Sequence, residues 1–381
     1  MKWLYFNQRY HPNYYASLQA LIEAGHEVSF HVWSIAPEEN HTGVKVTLLN
    51  QSLLSKINAK LLSNQEFPIN KVFPPLSRYI KLFRNENPDI VVIRDPQRFF
   101  ARLLARIASW HGAKVLFHSL NTLDTQDHRF FPRGYPIPLL KRIDAAYYSP
   151  IHGGRPEAFP PRAYFIPFAV PRADHYPKEV KTRREEFRLI TIGKYRQERK
   201  RLPLLLNVLA SLSYTHNISL TIIGQTGSSS EVSHMRELQQ YALALGIDQR
   251  VSMMHDLPHV EVLRQYSHHD LFVLPAVNEP AGISVLEAVR NGIPAVCSDT
   301  CGVRCYLEPG ATGEVFTSDD AESLKNAVLN IIKSRDEVER RKKKCWIYGE
   351  QALSHEAFLS AMNHCTMERW NLPTLSSQQS R

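Results

Sequence analysis

A chain of 381 residues is long enough for two domains of ordinary size, and 43% hydrophobic with 22% charged residues is a globular balance, not that of a disordered or fibrous chain. Lys+Arg 46 against Asp+Glu 37 gives a formal net charge of +9, which favours anionic partners: phosphates, nucleic acid or an acidic membrane face. The first residues hold no apolar core of signal-peptide length and no uninterrupted apolar run approaches a membrane span, so a soluble protein of a reducing, cytoplasmic compartment is expected, at most bound to a membrane surface.

Lys2 to Asn7 reads as a first strand and Tyr14 to Ala24 as a helix stopped by Gly25. Val28 to Trp33 and Val44 to Leu49 read as the next strands. Strands alternating with helices predict a parallel sheet, whose ligand crevice lies at the carboxyl ends of the strands. Arg9, Tyr10, His11 and Asn13 follow the first strand directly, so they are expected to face that crevice. No G-x-G-x-x-G fingerprint accompanies them, which argues against a dinucleotide cofactor.

Residues 51 to 87 are less regular and mix Lys56, Lys60, Lys71, Arg78, Lys81 and Arg84 with apolar side chains. Asp89 to Ile93 is a buried strand, and the helix after it carries Arg98, Arg102 and Arg106 at i, i+4 spacing beside Phe99 and Phe100. An anionic membrane surface and the solvated face of a crossover helix both fit this pattern. Lys114 to His118 is a strand ending on a histidine at the crevice side, where a substrate contact is favoured over a structural role. Ala145 to Ser149 and Tyr164 to Ile166 are short strands. The proline-rich Pro167 to Pro177 and the charged Lys178 to Arg188 read as a linker. That places one Rossmann-like domain at 1–178 and a second at 179–355, with a helix at 356–371 packing back toward the first and a tail at 372–381.

From Arg188 the alternation restarts: strands at Leu189–Ile192, Ser219–Ile223 and Val251–Met254, helices at Leu204–Leu212, Val232–Leu245 and Glu261–Ser267. The loop Lys194 to Arg201 carries five cations and leaves the carboxyl end of the first of these strands, which makes Lys194 and Lys200 candidate partners of a diphosphate. Arg340 to Lys344 is read as a solvated basic helix face.

The stretch Asn278 to Ala288 carries the most chemistry. It follows the buried strand Asp270 to Pro275, and Pro280 suits a first helical turn. A helix starting there leaves the amides of Ala281, Gly282 and Ile283 without intrahelical acceptors, an anion site by geometry and dipole. Glu279 and Glu287 bracket it as acceptors for hydroxyl protons. Phosphate-binding amides between two hydroxyl-binding carboxylates suit a nucleotide sugar, although an ordinary strand–helix unit with a dipole-favoured glutamate accounts for the stretch taken alone. Cys297, Cys301 and Cys305 fall at four-residue spacing, but Cys297 ends an apolar strand pattern and Gly302 breaks any helix that would align them, so no metal is expected.

Glu279-Pro280-Ala281-Gly282 through Glu287 resembles the E-x7-E motif of the family-4 retaining glycosyltransferases of the GT-B fold, two Rossmann-like domains facing each other across a cleft. Gly292 to Val296, Gly302 and Gly310 to Phe316 follow in that family's order, and Gly193-Lys194-Tyr195 with Lys200 resembles its donor-phosphate loop. The resemblance is strong from about residue 188 to 330. It implies that Glu279 binds donor-sugar hydroxyls, Glu287 the ribose, Lys194 and Lys200 the diphosphate with amides after Pro280, and Asp256–Leu257 the base. His118 resembles a cleft histidine that contacts the donor sugar. The leaving phosphate would take the acceptor proton in a same-face attack, with no metal, and the chain has no D-x-D. Lys194 stands where the family commonly has Arg, and Tyr10-His11-Pro12-Asn13-Tyr14 replaces a glycine-rich loop.

The activity implied is transfer from a UDP- or GDP-sugar to a glycan or lipid-linked acceptor of surface-polysaccharide or lipopolysaccharide type, with no cofactor. A GT-B nucleotide-sugar epimerase and an inactive sugar-binding module are the alternatives. Nucleic acid is disfavoured, because the second-half cations lack aromatic platforms.

Overall fold

The structure is a computed structural model that describes residues 1–35, 39–53, 73–127, 137–173 and 185–374. Lys56, Lys60 and Lys71, the linker and domain boundary between 174 and 184, and the tail from 375 lie outside the described residues. The chain divides into two compact units, Met1–Ala169 with His355–Arg381, and Val170–Ser354.

In the first unit the strands are β1 (Lys2–Phe6), β2 (Glu27–Val32), β3 (Lys45–Leu48), β4 (Ile90–Arg94), β5 (Lys114–His118), β6 (Ala146–Ser149) and β7 (Ala163–Phe165). They form one parallel sheet in the order β3-β2-β1-β4-β5-β6-β7. Successive side chains of a strand point to opposite faces, and here both faces are covered. Trp3 and Tyr5 pack into one core with Leu18 and Leu21 of α1 (Tyr15–Glu23). Leu4 and Phe6 pack into the other, against Tyr79 and Phe83 of α2 (Leu76–Glu86) and Leu104 of α3 (Phe99–Trp110). A short helix, α4 (Ile137–Arg142), leads into β6.

The second unit repeats the plan. Its strands β8 (Phe187–Ile192), β9 (Ile218–Gly224), β10 (Val251–His255), β11 (Leu271–Leu274), β12 (Ala295–Ser298) and β13 (Gly313–Phe316) pair in the order β10-β9-β8-β11-β12-β13, all parallel. Its helices are α5 (Leu202–Ser213), α6 (Ser229–Ala244), α7 (His259–Ser267), α8 (Ile283–Arg290), α9 (Ala321–Ile331) and α10 (Arg335–Leu353). The last helix, α11 (His355–Trp370), returns to the first unit, where Phe358, Met362 and Cys365 join the core under α1.

In each sheet the chain first runs outward on one side of a central strand and then on the other. Order reverses between β1 and β4 in the first sheet and between β8 and β11 in the second. Strand-end loops diverge there and leave a crevice, the usual ligand position in open parallel sheets.

Two expectations are corrected. Arg340 to Lys344 lies on α10 and is solvated only in part: Arg340, Lys343 and Lys344 are exposed, but Arg341 is 2% exposed and bonds Glu314 and Glu337, and Lys342 Nζ lies 2.8 Å from Asp270. A buried arginine persists only when paired, and these carboxylates pair it. The helix expected from Pro280 begins three residues later, at Ile283. The carbonyl of Glu279 accepts from the Gly302 amide at 2.9 Å and that of Ala281 from Val303 at 3.0 Å, so the segment is held as a loop against the turn after β12.

Candidate functional site

The loop after β8 is pinned by Tyr195. Its hydroxyl donates to the Met254 and Ile222 carbonyls at 2.7 and 3.2 Å, across the ends of β10 and β9. Gly224 makes the crossing feasible, since a Cβ there would stand 2.3 Å from the Tyr195 ring. Beyond Tyr195 the loop folds back and reaches the segment after β11: the Val277 amide donates to the Arg199 carbonyl at 2.8 Å. Lys200 Nζ then lies 2.8 Å from Glu279 Oε2, and the Arg199 guanidinium bonds the same oxygen. The structure therefore brings Lys200 and Glu279 together at the switch point of the second sheet. Lys194 stands exposed in the same loop, with no ion pair among the described residues.

Burial alone would raise the pKa of Glu279, whose side chain is 10% exposed. The Lys200 and Arg199 charges outweigh burial and hold the carboxyl below the usual carboxylate range. The group stays an anion that only accepts hydrogen bonds. Gly282, with φ +87, turns the chain into α8, and a Cβ there would stand 2.6 Å from Cys301 Sγ. Among the described residues no acceptor faces the amides of Ala281 or Gly282, which lead into the positive end of the helix with Ile283.

Glu287 lies in the second turn of α8. His259 Nε2 lies 2.9 Å from its Oε1, and the Tyr266 hydroxyl donates to its Oε2 at 3.1 Å. The hydrogen bond to Glu287 raises the pKa of His259 against the opposing effect of burial. Asp256, with φ +55, accepts from the amide of Thr226 at 2.9 Å and from its hydroxyl; the hydroxyl bond leads the causes that lower its pKa. Leu257 follows it, half-buried.

In the first unit, His118 ends β5 and is buried. Its ring stacks on Tyr148 at 4.6 Å and its Nδ1 lies 3.1 Å from the Tyr14 hydroxyl. Burial, with the Arg94 charge beside it, keeps the ring neutral far below the usual histidine pKa. It lines a cavity of about 30 Å³, room for about one water, with Asn13, Tyr14, Ser17, Arg94 and Tyr148.

Of the four acceptor-side candidates, His11 and Asn13 are exposed and Arg9 is half-buried beside Glu39, 3.2 Å away. Tyr10 is a correction. It is 0% exposed and packs on Phe30, with ring centroids 5.1 Å apart, because a large ring gains more from burial in the core than at a wet strand end.

Sequence reasoning passed over several groups. Arg199 had a signal, its place beside Lys200 in the cationic loop. His259 and Tyr266 are tied to Glu287 only through the packing of α7 on α8, which no local pattern announces.

Two parallel sheets of this strand order define the GT-B fold. The structure resembles Anabaena HepE, solved in complex with UDP and glucose, with a TM-score of 0.67 at 16% identity, covering 97% of this chain and 100% of that one. Residues 173–345 match the family described as glycosyl transferases group 1, and this stretch is a domain of that family. The chain is 26% identical over 133 residues to a D-inositol 3-phosphate glycosyltransferase of Nocardia farcinica, covering 35% of this chain and 28% of that protein. It is 30% identical over 126 residues to the lipopolysaccharide glucosyltransferase WaaG of Escherichia coli, covering 32% and 31%. The match thus spans under a third of the length of either relative.

Proposed function

We propose that this chain is a retaining, metal-independent glycosyltransferase of family-4 type that moves a sugar from a UDP- or GDP-sugar to a glycan or lipid-linked acceptor. The observation that carries the reading is the Glu279 carboxylate gripped by Lys200 at 2.8 Å and by Arg199, just ahead of the amino end of α8. A diphosphate arriving at that helix end meets free amides and finds Lys200 within reach. Lys200 then neutralises the charge that builds on the departing phosphate, which lowers the barrier where that charge develops. Lys200, with Arg199 beside it, keeps Glu279 ionised as a hydroxyl acceptor for the donor sugar. Glu287, oriented by His259 and Tyr266, is the acceptor for ribose hydroxyls, and Asp256–Leu257 borders the base. Lys194, exposed in the same loop, is a second cation for the diphosphate. His118, neutral and oriented by Tyr14, contacts the donor sugar. In this scheme the leaving phosphate takes the acceptor proton, and cationic side chains supply the charge a metal would.

The relatives named for lipopolysaccharide and inositol phosphate work support a glycan or lipid-linked acceptor. A peripheral membrane role rests on α3: Phe99, Arg102, Arg106 and Trp110 stand three or four residues apart, with Phe99 55% and Trp110 79% exposed. No helix among the described residues is long and apolar enough to cross a membrane. The test is incubation with labelled nucleotide sugars, with and without acceptor extract, and determination of the product's anomeric configuration. A glycoside with the donor's configuration supports the proposal. A changed donor sugar without acceptor identifies an epimerase, and nucleotide binding with no turnover identifies a sugar-binding module.

A further inference from the structure

Among the described residues, the switch point of the first sheet carries more positive charge than the carboxylates around it neutralise. Arg94 ends β4, and Arg98 precedes α3 by one residue. Between them Asp95 adopts φ +55, a strained backbone for a residue other than glycine, and this turn sets its carboxylate between the two guanidinium groups. Asp95 lies 2.9 Å from Arg98 Nη2 but 3.9 Å from Arg94 Nε, so one carboxylate serves two arginines and serves the second poorly. Arg98 Nη1 is buried and has no hydrogen-bond partner among the described residues.

Arg94 lines both the cavity around His118 and a crevice it shares with Asn7, Gln8, Arg98 and Ala101, at the ends of β1 and β4. The other groups in this field are Tyr14, whose hydroxyl accepts from Arg94 Nη1 at 3.4 Å, and His118, His11, Arg9 and Glu39. Arg9 is occupied by Glu39, and His11 is held below its usual pKa by burial and by Arg94 and Arg9. A guanidinium that is only partly paired and mostly buried is costly, and an anion brought against its accessible edge offsets part of that cost. The crevice, about 10 Å³, holds at most one water, so the anion sits at its mouth, where Arg94 and Arg98 keep 18% and 25% of their side chains exposed.

We infer that the first unit recognises a phosphate-type anion through the Arg94–Arg98 pair at the β1/β4 switch point. Calling this anion a group of the acceptor rests on the transferase reading; the anion site itself does not. Arginine suits the task because its planar fork meets two phosphate oxygens at once.

The full-length protein is titrated calorimetrically with glucose and with glucose 6-phosphate, and in a separate arm is mixed with phosphatidylglycerol vesicles. UDP binding serves as the control for folding and for the donor site. Glucose 6-phosphate is expected to bind at least about tenfold more tightly than glucose. Arg98→Gln abolishes the preference, and Asp95→Asn, which removes the competing carboxylate, strengthens it several-fold. A purely structural role for the pair would not produce opposite signs. Vesicle binding lost in Arg98→Gln, with no soluble preference, also supports the site and assigns the phosphate to a lipid headgroup. Equal affinity for the two sugars without such vesicle binding, or any binding indifferent to Arg98→Gln, overturns the inference. Absence of UDP binding alongside an Arg98-dependent preference would instead defeat the donor assignment and leave the anion site standing.

Discussion

The two switch points are built alike and charged differently. In the second unit two cations, Arg199 and Lys200, close on one carboxylate, so the resting site is paired and Glu279 is held ionised. In the first unit two arginines share Asp95, the histidine nearby is neutral, and one guanidinium nitrogen has no hydrogen-bond partner among the described residues. The same switch-point arrangement thus yields one site arranged around a fixed anion and another short of one. A fixed carboxylate suits hydroxyl recognition next to a phosphate, and a deficit of negative charge suits a ligand that brings its own.

The comparison breaks most sharply at Glu279. Glu279→Gln removes the fixed anion with little change of shape and is expected to lower turnover by about 100-fold or more while nucleoside diphosphate still binds, as measured by steady-state kinetics and titration. Turnover near wild type would remove the carboxylate from the mechanism. Gly282→Ala tests whether the loop ahead of α8 is needed as it stands. With φ +87 and Cys301 Sγ 2.6 Å from the added Cβ, it is expected to cost about 1–3 kcal/mol, read as a lower denaturant midpoint.

Arg199→Gln sharpens the electrostatic half of the comparison. The folded pKa of Glu279 is depressed, so its contribution to stability is present above the ordinary carboxylate value and lost as pH falls through the lower folded value. Removing Arg199 brings that loss to higher pH, and the acid limb of the stability profile moves up. A limb that does not move would show that Arg199 is not what keeps Glu279 charged. The smallest effect concerns His259, whose pKa is raised. Its pairing with Glu287 stabilises fully below the ordinary histidine value and fades as pH rises through the folded value. Its side chain is 58% exposed, so solvent screening keeps the change small, seen as a slight weakening of nucleotide binding at alkaline pH that His259→Gln removes.

The second unit was legible because its signals are contiguous. Glu279, the Pro–Gly punctuation and Glu287 sit within one short stretch, flanked by apolar runs of strand length. What the pattern misplaced was the helix start: the Pro280 signal yields to backbone bonds from Gly302 and Val303, which come from the turn after the next strand. The first unit was less legible for the same reason on a larger scale. Its acceptor-side candidates were sought after β1, where Tyr10 turned out to be core. The arginines that complete the crevice come from the end of β4, a neighbour revealed only by the strand order. Arg98 was visible in the sequence, but as one of a helical row with Arg102 and Arg106. Its side chain turns back to Asp95 instead of out with them.

The most direct measurement is calorimetric titration of UDP and GDP into the wild-type chain and Lys200→Ala. One nucleotide is expected to bind the wild type and to lose at least about tenfold in affinity in Lys200→Ala, the loss of a charge-assisted bond to phosphate. Equal affinity in the two proteins would contradict it.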